Sequence, residues 1–317
     1  MEYCISAIIP VDCQAEGLEK TLDSLFRQSL EETEILIVDC GMSELNREMV
    51  EAYQPEHENL LLLPLKNNCI GTAKNIGLQH SSGEYVTFLT PGEWAPEPAY
   101  ASAYGEAKEQ DAEVIIGHCL ERVRGGKWMP KEYGNDLVCG CNYAGEYSIP
   151  IKNPSCGNKL IRRSFLLAQG LLFSEVCVAD DLLFAISLFE LAHRIFSTAD
   201  VICMKEIENS GCSCKEWQIE SLLGEIALLK KIGLHFHEDQ MVIEQALCLE
   251  EAMRRLLPRI WRLPDGTEKS RLLGEIKVYF QIYRGIAEYQ MLMEYFFGID
   301  TKTFMPFSPN TRHKAIR

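Results

Sequence analysis

Two hydrophobic periods alternate over the first 120 residues, and this alternation limits the chain to few folds. "CISAIIPV" is a short apolar run, "EGLEKTLDSLFRQS" places Leu18, Leu22, Leu25 and Phe26 at helical spacing, and "EILIVD" is apolar again. The same exchange continues through "ELNREMVEAY", "NLLLLPL", "IGTAKNIGLQHSSG", "EYVTFL", "PAYASAYGEAKEQ" and "AEVIIGH". Strands alternating with helices predict an α/β fold: a mainly parallel sheet flanked by helices on both faces. Ligands of such sheets bind outside the carboxyl ends of the strands, so the polar loops "PVDCQ", "DCGMSE" and "TPGEW" become candidate site segments. Each is also composed of ordinary turn residues, and composition alone favours plain turns.

The chain has 317 residues, 47% of them hydrophobic, which supplies a sizeable core for one large domain and an appendage. A net charge of −15 opposes binding to nucleic acid or anionic lipid, and no nucleic-acid partner is expected. "MEYCISAIIPVD" has no basic stretch before its apolar run, and no apolar run reaches the length of a transmembrane helix. Thirteen cysteines without an export signal suggest reduced thiols and a cytoplasmic location. The pairs Cys139/Cys141 and Cys212/Cys214 have poor spacing for structural zinc and read as ordinary thiols.

Residues 121–157 are rich in Gly, Tyr and Cys without a sustained period, which suggests a long excursion of the kind that often covers a substrate. "NKLIRRSFLLAQG" reads as a helix stopped by Gly170, and "DDLLFAISLFELA" as a helix with an acidic first turn. After 214 the strand signals end. Three helical runs follow, one with the stripe Val242, Ala246, Leu249, Met253 and Leu256. The expected division is 1–214, with halves 1–120 and 121–214, followed by a helical region 215–317. The aromatic residues Tyr279, Tyr283, Tyr289, Tyr295, Phe296 and Phe297 serve either as packed core or as a homo-oligomer surface. The tail "SPNTRHKAIR" reads as disordered.

Three blocks in order carry a more specific signal. "SAIIPVDCQAEGLEKTLDSLFRQSLEETEILIVDCGMSE", "NNCIGTAKNIGLQHSSGEYVTFL" and "NKLIRRSFLLAQGLLFSEVCVADDLLF" together resemble family 2 glycosyltransferases of the A-type, nucleotide-diphospho-sugar transferase fold. The resemblance implies transfer of a sugar from a nucleotide-sugar donor, UDP-linked, to the hydroxyl of a glycan or other acceptor, with inversion. It places the nucleotide in the first half of the sheet, and the acceptor and a catalytic carboxylate in the second. Pro10, Asp12, Asp39, Asn67, Lys74 and Thr90 fall on donor-binding positions. Asp39 would meet the base, though the same residue could only cap the next helix. Lys74 replaces an arginine and offers a diphosphate a point charge without a bidentate fork. Asp180 and Asp181 fall on the acidic pair of the third block, and Asp181 is the candidate general base. Both aspartates would also suit a helix N-terminus.

The chain departs from the family at "LTPGEW", where Thr90 and Gly92 stand in place of two aspartates that hold a divalent cation. Mg²⁺ or Mn²⁺ needs hard oxygen ligands, and Glu93 is the one carboxylate left in the loop to offer one. Three readings follow: a transferase in which Lys74 or another cation replaces the metal, a transferase whose Glu93 shifts inward to hold it, and an inactive binding or scaffold module. A dinucleotide-binding oxidoreductase would need a Gly-x-Gly-x-x-Gly turn after the first strand, where the sequence has "PVDCQAEG".

Overall fold

The computed structural model describes residues 2–65, 69–123, 125–130, 140–174, 180–207, 215–238, 256–257 and 259–280. The chain forms two compact units, Met1–Leu228 and Leu229–Arg317. The expected border at 214 lies just before a helix that continues past Leu228.

In the first unit the elements run β1 Ile5–Val11, α1 Leu18–Phe26, β2 Thr33–Asp39, α2 Glu44–Tyr53, β3 Leu60–Pro64, α3 Ile70–His80, β4 Tyr85–Phe88, β5 Glu93–Trp94, α4 Ala99–Glu109 and β6 Val114–Val123. β7 Met129–Pro130, α5 Ser148–Lys152, β8 Lys159–Arg162, α6 Arg163–Gln169, α7 Asp180–Leu191 and β9 Ile195–Ile207 follow, and α8 Lys215–Glu238 begins in this unit and ends in the second. Among the described residues nine strands form one sheet in the order β3-β2-β1-β4-β8-β6-β9-β5, with β7 beside β6. β1, β2, β3 and β4 pair in parallel, as do β6 and β9. β8 runs antiparallel to both β4 and β6, and β5 antiparallel to β9, so the sheet is mixed where a mainly parallel one was expected.

Alternation along β1 explains its nearly unbroken apolar run. Ile5, Ala7, Ile9 and Val11 pack on one face with Leu18, Leu22 and Leu25 of α1 and Tyr100 of α4. Ile8 packs on the other with Ala73 and Leu78 of α3 and Phe184 and Leu188 of α7. A strand buried on both faces is apolar along most of its length, and the one hydroxyl in β1, on Ser6, is satisfied by the buried Glu34. α2 starts where Ser43 Oγ accepts the Asn46 N–H at 3.3 Å.

Two segments differ from expectation. "KLIR" is strand β8, and only Arg163–Gln169 is helix, closed by Gly170 at φ 61°. Leu160 joins the first apolar cluster and Ile161 the second, so burial on both faces gave this strand a helix-like apolar run. β9, unassigned by periodicity, occupies 13 residues and pairs along most of β6.

In the second unit the described residues include α9 Thr267–Phe280, with Leu272 and Ile276 buried and an ion pair between Lys230 and Glu275 at 2.6 Å. Leu256 is buried. Val242, Ala246, Leu249, Met253, Tyr283, Tyr289, Tyr295, Phe296, Phe297, the tail, and Cys139, Cys212 and Cys214 lie outside the described residues. No described helix is long and apolar enough to cross a membrane.

Candidate functional site

The chain leaves β1 for β2 on one side and returns through β3 and α3 to β4 on the other. This reversal opens a crevice between the carboxyl ends of β1 and β4, the place where sheets of this kind bind ligands. A cleft of about 700 Å³ lies there, lined by Pro10 near the end of β1, by Asp12, Gln14, Glu16 and Gly17 after it, and by Thr90, Pro91 and Gly92 after β4. Lys20, Ile70, Lys205 and Glu206 complete the wall. Three expected donor-binding residues, Pro10, Asp12 and Thr90, are thus brought together. Asp12 Oδ1 accepts the Gln14 N–H at 2.9 Å, which turns the loop toward the cleft rim.

Asp39 does not line this cleft. Its Oδ1 accepts N–H groups from Gly41 at 3.0 Å and Met42 at 2.8 Å, and its Oδ2 pairs with Arg47. Burial works against its charge, but the Met42 and Gly41 N–H groups and the Arg47 guanidinium outweigh it and hold the carboxyl below its usual range. The local turn thus occupies Oδ1, and the arginine occupies Oδ2.

Lys74 and Asp181 meet each other away from the cleft lining. The Lys74 ammonium, with its side chain 7% exposed, pairs with Asp181 Oδ1 and lies 4.7 Å from the Phe173 ring centroid. Asn75 fixes that ring by exchanging two hydrogen bonds with the Phe173 backbone, at 3.0 and 2.8 Å. The ring also stacks on Phe184, 3.8 Å between centroids. Asn75, Phe173, Lys74 and Asp181 therefore form one supported chain, in which the lysine fixes the direction of the candidate base. Lys74 was expected at a diphosphate, and its ammonium here pairs with Asp181. Asp180 begins α7, and Asn67 lies outside the described residues.

Glu93 was the candidate metal ligand, and its carboxylate turns inward. Oε2 accepts the Thr90 N–H at 2.8 Å while the Glu93 N–H donates to the Thr90 carbonyl at 2.9 Å, closing the Thr90–Glu93 turn on both sides. Oε1 lies 3.7 Å from Lys205 Nζ. Gly92, in place of a metal-holding aspartate, has φ +87°, and its N–H donates to Thr21 Oγ1 at 2.9 Å. A Cβ there would stand 3.1 Å from the Glu16 carbonyl. The loop is therefore built around a residue with no side chain. Thr90 keeps one hydroxyl, and the loop's one carboxylate is taken up by the Thr90 N–H and faces Lys205, so this donor set does not fit a hard divalent cation. Among the described residues no three His, Cys, Asp or Glu side chains gather to hold a metal.

Sequence reasoning missed Lys20, Lys205 and Glu206. Lys20 Nζ lies 3.3 Å from the Trp94 ring centroid and 3.6 Å from Glu206. Glu206 also accepts from Arg122 Nε at 2.9 Å. Partial burial opposes charge on Glu206, but Arg122 and Lys20 outweigh it and hold the carboxyl below its usual range. No local signal marks Lys205, because β9 reaches the cleft only through its pairing with β5.

The chain is 28% identical over 36% of its length to "Glycosyltransferase GlyA" of Streptococcus pneumoniae, and covers 16% of that protein. It is 23% identical over 62% of its length to "Poly(ribitol-phosphate) beta-glucosyltransferase" of Bacillus spizizenii, and covers 31% of it. The chain thus spans less than a third of the length of either relative. Among solved structures it resembles S. aureus TarS 1–349 in complex with UDP-GlcNAc, with TM-score 0.69 and 19% identity over 88% of this chain and 81% of that one. That likeness establishes the A-type nucleotide-diphospho-sugar transferase fold. The model of glycosyl transferase family 2 matches residues 6–181, more than half of the chain, and the chain belongs to that family.

Proposed function

We propose that the chain transfers a sugar from a UDP-linked donor to an acceptor hydroxyl, with inversion and little dependence on a divalent metal. The observation that carries this reading is the cleft at the strand reversal, where Pro10, Asp12 and Thr90 converge. TarS, which shares the fold, is solved with UDP-GlcNAc. Asp12 supplies an acceptor for hydroxyl or base N–H groups of the nucleotide, and Asp39 shapes the neighbouring loop. In the transfer step the acceptor oxygen bonds to the anomeric carbon as its proton passes to Asp181. The bond from that carbon to the diphosphate breaks, and its electron pair leaves with the nucleoside diphosphate. Lys74 holds the Asp181 carboxylate in one direction for this task.

One observation favours a second reading, a nucleotide-binding module without transfer. The Asp181 carboxylate is already paired with Lys74 and stands outside the cleft lining. Turnover separates the two. UDP-sugars should raise the melting temperature and be consumed with an acceptor, and Asp181→Asn should lower the rate by about 10²–10⁴-fold with donor binding retained. Stabilisation by UDP-sugars without consumption would establish the module. No stabilisation and no consumption would end both readings.

A further inference from the structure

We propose that Lys20 and Lys205 receive the donor's diphosphate together, as two fixed ammonium groups in the place of a divalent cation. This inference rests on the nucleotide-sugar reading above and assigns the residues that make it work without metal. Both lysines line the cleft beside Thr90, Pro91 and Gly92, and both are tied to the turn that lost its aspartates. Lys20 is tied through Trp94, whose ring lies under its ammonium. Lys205 is tied through Glu93, its register partner in the β5–β9 ladder. Gly17 fixes α1 against the same turn so closely that a Cβ on it would stand 2.9 Å from Gly92 Cα. Both cations are therefore held against the same turn.

Charge and reach both fit. Two ammonium groups bring the two positive charges that one divalent ion would bring to a pyrophosphate diester. Lys20 faces Glu206 at 3.6 Å and Lys205 faces Glu93 at 3.7 Å, both longer than a charge-assisted hydrogen bond. Each ammonium has three donors, so these distant carboxylates hold the cations in place while leaving them donors for phosphate oxygens. When the lysines turn to a ligand, Glu206 keeps Arg122 at 2.9 Å and Glu93 keeps the Thr90 N–H at 2.8 Å, so neither carboxylate is stranded. Asp12 and Glu16 also line the cleft and repel a diphosphate, which confines the anion to the lysine side.

Calorimetric titration of UDP and uridine in EDTA tests the assignment. The wild-type protein should bind UDP at least about tenfold more tightly than uridine, the scale of a charge-assisted contact. Added Mn²⁺ should change this margin little, and rising salt should shrink it by screening. In Lys20→Gln/Lys205→Gln the margin should fall to about twofold with uridine affinity unchanged, and Lys20→Arg/Lys205→Arg should restore it. A margin that survives the double Gln variant, that appears only with Mn²⁺, or that ignores salt overturns the lysine assignment and leaves the nucleotide reading standing. Failure of the wild-type protein to bind either compound overturns both.

Discussion

Gly92 shows how a single residue sets the chemistry of this cleft, and Asp39 how one carboxylate holds a neighbouring loop. Restoring an aspartate at 92 would strain the turn, because the backbone is left-handed there and a Cβ would crowd the Glu16 carbonyl at 3.1 Å. Gly92→Asp should cost about 1–2 kcal/mol of stability, measured by urea unfolding, and should not create a Mn²⁺ requirement for nucleotide binding. At Asp39 the depressed carboxyl pKa ties stability to pH. A lowered folded value contributes stability above the unfolded pKa of about 3.9, and that contribution is lost as pH falls through the folded value. Asp39→Asn keeps the Gly41 and Met42 acceptor but loses charge toward Arg47. It should cost about 1 kcal/mol at pH 7, with the difference from wild type fading below about pH 4 in pH-stepped unfolding. The sequence placed Asp39 correctly at a strand end, but not its partner. That Arg47 would reach back eight residues across a turn is a fact of rotamer and loop geometry, which composition does not encode.

Among the elements, β8 and the loop before it hold the least expected device. Lys159 is fully buried, and its ammonium donates to the carbonyl of Asn153 at 3.3 Å, to Asn158 Oδ1 at 3.2 Å and to the Ser155 carbonyl. It fastens the loop whose Gly157 lies against Glu93 and Leu89, where a Cβ would stand 2.8 Å from Glu93 Oε2. Lys159→Met removes the donor from buried acceptors and should cost about 3 kcal/mol in urea unfolding. β1 to β4 were legible because their apolar runs are separated by helices with clear one-sided periods. β8 was not, because a strand buried on both faces and followed at once by a helix reads as one helix. β9 was not, because its mixed residues earn their places by pairing with β6 and β5, far away in the sequence.

At the scale of the molecule, the strand reversal between β1 and β4 decides where a ligand can bind, and the order of apolar and amphipathic segments made that legible. Pro10, Asp12 and Thr90 follow from it directly, since each stands at or just beyond the carboxyl end of a strand in that pair. Lys20 and Lys205 do not, because they converge only once α1 and β9 are folded against the loop. The same distinction governs the metal: the missing aspartates are visible in the sequence, whereas the inward turn of Glu93 and the two lysines beside it needed the structure. A divalent ion that stabilises a leaving diphosphate contributes several kcal/mol, equivalent to about a hundredfold or more in rate. The most direct test is therefore kcat/KM for a UDP-sugar and an acceptor, measured in EDTA and again with saturating Mn²⁺. The expected result is a difference of less than about tenfold, and a loss of about a hundredfold or more in EDTA would contradict it.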